Sequence, residues 1–272
     1  MSQLAEIALV DGVPMPLDQA SMRITDSGVS RGDGAFETIG VWRGRPFRLA
    51  DHLSRLNRSL SALALPPAPL DALRHECATL TDGVVTDAAL RVYLTASGTR
   101  ILTLSAPPQR SPLKVLIPQP APWIQPRDTY HPAGAKSMSY GPNMAAGRLA
   151  QQAGGDDALL FSVPDRFVLE GPTFGVLFVK RKVIHAPAVD LGIVDSISRL
   201  TVIEVARHHG LEVRTGQWPL ETLVDADEVI TSSSLRPATA VHRVGEWRYH
   251  SHSVAELLND GLQRMRCESR VE

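Results

Sequence analysis

The sequence predicts a mixed α/β (α+β) chain of two domains, and three observations carry that expectation. Apolar residues alternate in some segments and recur every three to four residues in others, so strands and helices follow one another along the chain. A proline-rich stretch near the middle separates two halves that each show both periods. The 272 residues are 43% hydrophobic and 21% charged, enough apolar material for one large domain or two smaller ones.

The first half opens with strands. IALVDG ends on the turn dipeptide Asp11-Gly12, and VWRGRPFRL sets Arg43-Gly44 between two arms, a hairpin pattern. The period then changes. Leu49, Leu53, Leu56, Leu60 and Leu63 define one face of a helix, with Pro66-Pro67 as its stop. A second helix is predicted over 70–80, followed by strands at ALRVYLTAS and LKVLIP. Five prolines between 118 and 134 favour extended chain, read as a connection. Beyond it come a helix over 143–153, strands at ALLFSV and GVLFVKRKVIHA, a helix in SRLTVIEVARHHG closing at Gly210, and a strand at EVITSS. The expected domains are therefore 1–117, small and N-terminal, and 135–272, large and C-terminal, with 118–134 as the linker.

Composition excludes several classes. A formal net charge of −1 gives no reason to expect nucleic acid or a membrane surface as partner. No apolar run approaches the ~18 residues of a membrane helix. The start, MSQLAEIALVDG, carries Glu6 and no basic region, unlike a signal peptide, so a cytoplasmic location is expected. Cys77 and Cys267 cannot build a disulfide framework, and no Cys/His spacing suggests a metal site.

Of 28 basic residues only four are lysines: Lys114, Lys136, Lys180 and Lys182. An arginine stays protonated, whereas a lysine can act as a nucleophilic amine. Lys180 and Lys182 lie in a KRK turn between strands and Lys114 starts a strand; Lys136 alone leads through a Tyr/Asn segment into a helix.

Five ordered strings, RGDGAFETIGVWRGRPFRLADHLSRLNRSL, AKSMSYGPNM, DDALLFSVPDRFVLEGP, SISRLTVIEVARHHGLEV and ADEVITSSSLRPATAV, together resemble the class IV, fold-type IV, pyridoxal 5'-phosphate enzymes. That family includes branched-chain and D-amino-acid aminotransferases, (R)-amine transaminases and aminodeoxychorismate lyase. The resemblance runs from about residue 25 to 244. It implies a two-domain fold with the cofactor site between the domains, in which the C-terminal domain binds pyridoxal phosphate.

The resemblance assigns roles residue by residue. Lys136 stands where the family holds the cofactor's aldehyde and moves a proton at the substrate's α-carbon. Glu170, after RFVL and before Gly171-Pro172, faces the pyridine nitrogen and keeps it protonated. Arg55 in HLSRL grips the phosphate with charge-assisted hydrogen bonds. Ile197 and Ser198 open a helix whose N-terminal amides bind phosphate, and Ser234 adds a hydroxyl. The chain departs from the pattern at Ser196, where glycine is usual, at Ser198, where threonine is usual, and at Gly175, where asparagine is common.

By the same resemblance Arg31, Phe36, Tyr93, Arg100, Leu235 and Arg236 line the substrate pocket, and one of the three arginines grips an α-carboxylate. The implied activity is ping-pong transamination from a D-amino acid or (R)-amine to pyruvate or 2-oxoglutarate, in a homodimer. Aminodeoxychorismate lyase, which releases pyruvate and 4-aminobenzoate, is the alternative: SSSLRPATAV resembles its loop and FET supplies Thr38, but its glycine-rich loop is reduced to TASGTRIL. A degenerate cofactor-binding protein is the third reading; joint retention of Lys136, Glu170 and Arg55 argues against it.

Overall fold

The computed structural model describes residues 6–109 and 111–268. Contacts divide these residues into two compact units: 6–109 with 135–140 and 266–268, and 111–134 with 141–265.

The first unit is a six-stranded antiparallel sheet with three helices. Its strands are β1 (Ile7–Val10), β2 (Val13–Pro16), β3 (Gly34–Trp42), β4 (Arg45–Pro46), β5 (Ala88–Thr95) and β6 (Arg100–Ser105), in the order β2-β1-β6-β5-β3-β4. The five-residue helix α1 (Ser27–Arg31) precedes β3, and α2 (Leu49–Ala62) and α3 (Leu70–Thr81) follow β4. Both predicted turns form, with Gly12 and Gly44 at positive φ.

Helix α2 explains the leucine period. Leu53, Leu56 and Leu60 are fully buried against Ile39, Leu90 and Leu104 of the sheet. The helix ends before the prolines: Ala64 adopts a left-handed φ of 55°, and the Leu65 amide donates to the Leu60 carbonyl at 2.9 Å. The Ala64 amide donates to Ser61 at 3.0 Å, which completes a Schellman cap without glycine.

The second unit contains two sheets. One is β7 (Val115–Pro120), β8 (Asp157–Phe161), β14 (Arg243–Val244) and β15 (Trp247–Arg248), in the order β15-β14-β7-β8. The other is β9 (Gly175–Lys180), β10 (Val183–Pro187), β11 (Val213–Gly216), β12 (Glu228–Ser233) and β13 (Arg236–Val241), in the order β11-β10-β9-β12-β13. Helices α4 (Gly141–Gln152), α5 (Ile197–His208) and α6 (Ser253–Glu268) complete the chain. Helix α4 packs on β8 and α5 on β12.

The contacts draw the boundaries differently from the prolines. The segment 118–120 is the second half of strand β7, in parallel register with Leu159, Leu160 and Phe161. The Ala121 amide bonds to β8, so by strand alternation Pro118 and Pro120 turn their nitrogens to the other side, where β14 stops opposite Leu116. The segment 135–140 returns to the first unit because it pairs with β3: the Phe36 amide donates to Lys136 (3.0 Å), the Met138 amide to Gly34 (2.8 Å), and Ala35 bridges Ser137. Local composition does not encode such long-range pairing.

Among the described residues no helix is long and apolar enough to cross a membrane, no group of three His, Cys, Asp or Glu could hold a metal ion, and Cys77 and Cys267 are free thiols.

Candidate active site

In the first unit, the site is built on strand β3 and on helix α2 beside it. Register sets Phe36 opposite Tyr93 and Thr38 opposite Arg91, so these four side chains share a face. Ala35, Glu37 and Ile39, with Leu90, Val92 and Leu94, point to the other face, where α2 and α3 pack.

Lys136 lies on the Phe36 face. Its Nζ is 4.3 Å from the centroid of the Phe36 ring and hydrogen-bonds to the Tyr140 hydroxyl at 3.2 Å. Phe36 stacks on Tyr93 at 6.0 Å and meets Tyr140 edge-on at 5.2 Å. Burial pushes the Tyr93 hydroxyl up from its ordinary pKa. The Lys136 backbone is pinned to α2, because its amide donates to Ser59 Oγ at 3.0 Å. Tyr140 is four residues from Lys136, and in the sequence it stands out only as part of a mixed polar segment.

Arg55, on α2 as is the Ser59 that holds Lys136, is buried and fixed by Glu37. Its Nε donates to Glu37 Oε1 at 2.7 Å and its Nη2 to Oε2 at 2.6 Å. His52 Nδ1 lies 2.8 Å from Oε2. Burial by itself raises the Glu37 carboxyl, but Arg55 and His52 outweigh it and hold the pKa down at about 2. Burial also pulls His52 below its usual range, against the opposing pull of Glu37. A neutral His52 therefore donates Nδ1–H to a charged Glu37.

Arg100 does not join the pocket residues. It pairs with Leu94, which pairs with Ala35, so it projects on the helix face, away from Phe36 and Lys136. There its Nη2 and Nε bond Glu76 of α3 at 2.6 and 2.8 Å. Those bonds raise its pKa from the ordinary value. The arginine that does share the Phe36 face is Arg91, half-buried, and no ion pair among the described residues engages it. Strand alternation from Phe36 and Tyr93 is the signal that could have found it. Arg31 ends α1 with an exposed side chain; the next carbonyl, Gly32, accepts from Ser139 Oγ at 3.0 Å.

In the second unit, Glu170 is buried, and its Oε1 accepts from the Val194 amide at 3.1 Å. Two residues beyond Val194, Ser196 caps α5, its Oγ accepting from the Arg199 amide at 3.3 Å. Ile197 and Ser198 fill the first buried turn. Arg199 is also buried; burial lowers its pKa, and Asp195 and Glu170 pull it back up. Its Nε has no acceptor among the described residues.

Strand β12 runs beside β9 with Ser232 opposite Gly175, so the Ser234-Leu235 turn lies just past Gly175. Arg236 begins β13 after that turn. A Cβ on Gly175 would lie 3.4 Å from Arg199 Cβ and 3.5 Å from Ser196 Cβ. Two departures from the family pattern thus meet across one contact: a side chain is lost at 175 and one is gained at 196.

A sequence model of the family described as amino-transferase class IV matches residues 34–244, most of the chain. This chain belongs to the class IV aminotransferases. Aminodeoxychorismate lyase of Bacillus subtilis is 30% identical over 90% of this chain and 88% of that protein. A putative branched-chain-amino-acid aminotransferase of Methanocaldococcus jannaschii is 28% identical over 88% of each. A bifunctional aminodeoxychorismate lyase / D-amino acid transaminase of Mycobacterium tuberculosis is 26% identical over 92% of this chain and 95% of that one. Among solved structures, a fold IV-transaminase from Curtobacterium pusillum superimposes with a TM-score of 0.88 at 26% identity, covering 98% of this chain and 100% of that one.

As a class IV aminotransferase the chain works with pyridoxal 5'-phosphate. The donor sets of both units suit that group. The first offers an amine among aromatic rings and a buried guanidinium. The second offers a buried carboxylate, a capped helix start and a buried Arg199 Nε lacking an acceptor among the described residues.

Proposed function

We propose that this class IV aminotransferase moves an amino group from a D-amino acid or (R)-amine to a keto acid such as pyruvate or 2-oxoglutarate, by a ping-pong route. Pyridoxal phosphate, when bound, supplies the electron sink for the bond broken at the substrate's α-carbon. Lys136 holds the cofactor's aldehyde carbon and carries the proton to and from that α-carbon. Glu170 keeps a proton on the pyridine nitrogen. Arg55, the amides of Ile197 and Ser198, and the Ser234 hydroxyl take the phosphate. Arg91 grips the substrate carboxylate beside Phe36 and Tyr93, with Arg31, Leu235 and Arg236 at the substrate's rim. The proposed assembly is a homodimer and the proposed location is the cytoplasm.

The observation that carries this reading is the seat of Lys136: its Nζ meets Tyr140 at 3.2 Å on the sheet face that also bears Arg91. A proton-carrying amine and a carboxylate anchor on one face are what transamination of an amino acid requires.

Aminodeoxychorismate lyase is the second reading. Thr38, in register with Arg91 on the Lys136 face, favours it, as does the 30% identical lyase. A half-reaction screen separates the two. Transamination predicts loss of the holoprotein's visible absorption with D-alanine or (R)-1-phenylethylamine alone. Release of 4-aminobenzoate and pyruvate from aminodeoxychorismate, with no half-reaction on amines, means the lyase. Lys136→Ala is expected to abolish both turnover and borohydride fixation of the cofactor; fixation on Lys114, Lys180 or Lys182 overturns the assignment.

A further inference from the structure

We infer that Glu37 and His52 are positioning residues for the cofactor's phosphate, acting through Arg55. The inference rests on the proposed role of Arg55 as a phosphate ligand. It goes further by assigning the orientation of that guanidinium to two buried groups, Glu37 and His52.

The geometry argues for it in three steps. Arg55 and His52 are one helical turn apart on α2, so both reach the same strand residue, Glu37 of β3. Glu37 is wholly buried and binds Arg55 by the edge carrying Nε and Nη2, at 2.7 and 2.6 Å. A guanidinium held by two parallel bonds cannot swing about its long stem, and its other edge is aimed in a fixed direction. His52 then fixes Glu37 itself, with Nδ1 at 2.8 Å from Oε2. Ser59, one turn beyond Arg55, holds the Lys136 amide. The α2 face His52, Arg55, Ser59 therefore locates both the phosphate anchor and the reactive lysine from one rigid element.

The test compares binding of pyridoxal 5'-phosphate and of pyridoxal to apoprotein, read by absorbance. Pyridoxal keeps the aldehyde that Lys136 takes and lacks the phosphate. The ratio of the two dissociation constants thus isolates the phosphate's share of binding, and general loosening of the fold leaves that ratio unmoved. Glu37→Gln and His52→Leu are each expected to shrink the ratio, about tenfold for Glu37→Gln. His52→Asn, which keeps a donor near Nδ1, is expected to restore most of it. Arg55→Ala is the control. If Arg55→Ala leaves the ratio unchanged, the phosphate reading of Arg55 fails and this inference with it. If Arg55→Ala shrinks the ratio while folded Glu37→Gln and His52→Leu keep or enlarge it, the positioning role alone is overturned. Should Glu37→Gln not fold, His52→Leu, which removes no charge, supplies the same comparison.

Discussion

Replacing Arg100 and Arg91 by alanine, one at a time, should give opposite phenotypes. The Arg100 guanidinium bonds Glu76 twice, and the side chains are 21% and 8% exposed. Removing Arg100 strands a nearly buried carboxylate. A fully buried pair loses about 3–5 kcal/mol on such truncation. Water reaches one fifth of Arg100, which cuts the expected loss to about 2 kcal/mol. For a chain of this size that lowers the melting temperature by roughly 4–6 °C. Glu76 lies on the helix face, so kcat/KM should change little below the melt. Arg91 has no carboxylate partner to strand among the described residues, so Arg91→Ala should shift the melt by about 1 °C or less. Losing a bidentate carboxylate contact costs about 3 kcal/mol, roughly a hundredfold in kcat/KM for amino-acid donors. An amine without a carboxylate, such as (R)-1-phenylethylamine, should be unaffected. Calorimetry and steady-state kinetics on both variants separate the two roles. A hundredfold loss on carboxylate donors in Arg100→Ala at wild-type melting temperature, with Arg91→Ala unaffected, would refute the two-face argument.

Two further outcomes follow from local geometry. Ala64 is exposed and left-handed at φ 55°, a conformation costing an L-residue about 1 kcal/mol, so Ala64→Gly should stabilise by about 0.5 kcal/mol and raise the melt by about 1 °C; a lower melt contradicts the Schellman assignment. Glu37 and His52 both have folded pKa values below their unfolded ones, so the unfolded chain binds more protons as pH falls. Stability should be at its plateau above about pH 6.5 and fall first as unfolded His52 takes a proton. It should fall again below about pH 4.5 as Glu37 does in the unfolded chain, with its share gone only near pH 2. His52→Asn should diminish the first part of the acid limb, which burial makes His185 and His242 share, in urea melts against pH; an unchanged limb counts against a neutral buried His52.

The sequence by itself determined the elements and the family. Leucine spacing specified α2, turn dipeptides specified the hairpins, and five ordered strings pointed to class IV, because each of these signals is local or collinear. Two things were decided only by the tertiary structure. Strand pairing drew Lys136 back to β3 and made Pro118–Pro120 part of a sheet rather than a linker. Strand alternation sent Arg100 to one face and Arg91 to the other, although both looked alike as charges in a row. A one-residue change of parity reverses the direction of a side chain, and parity is set by register with strands far away in the chain. Composition and motif order carry no record of that register.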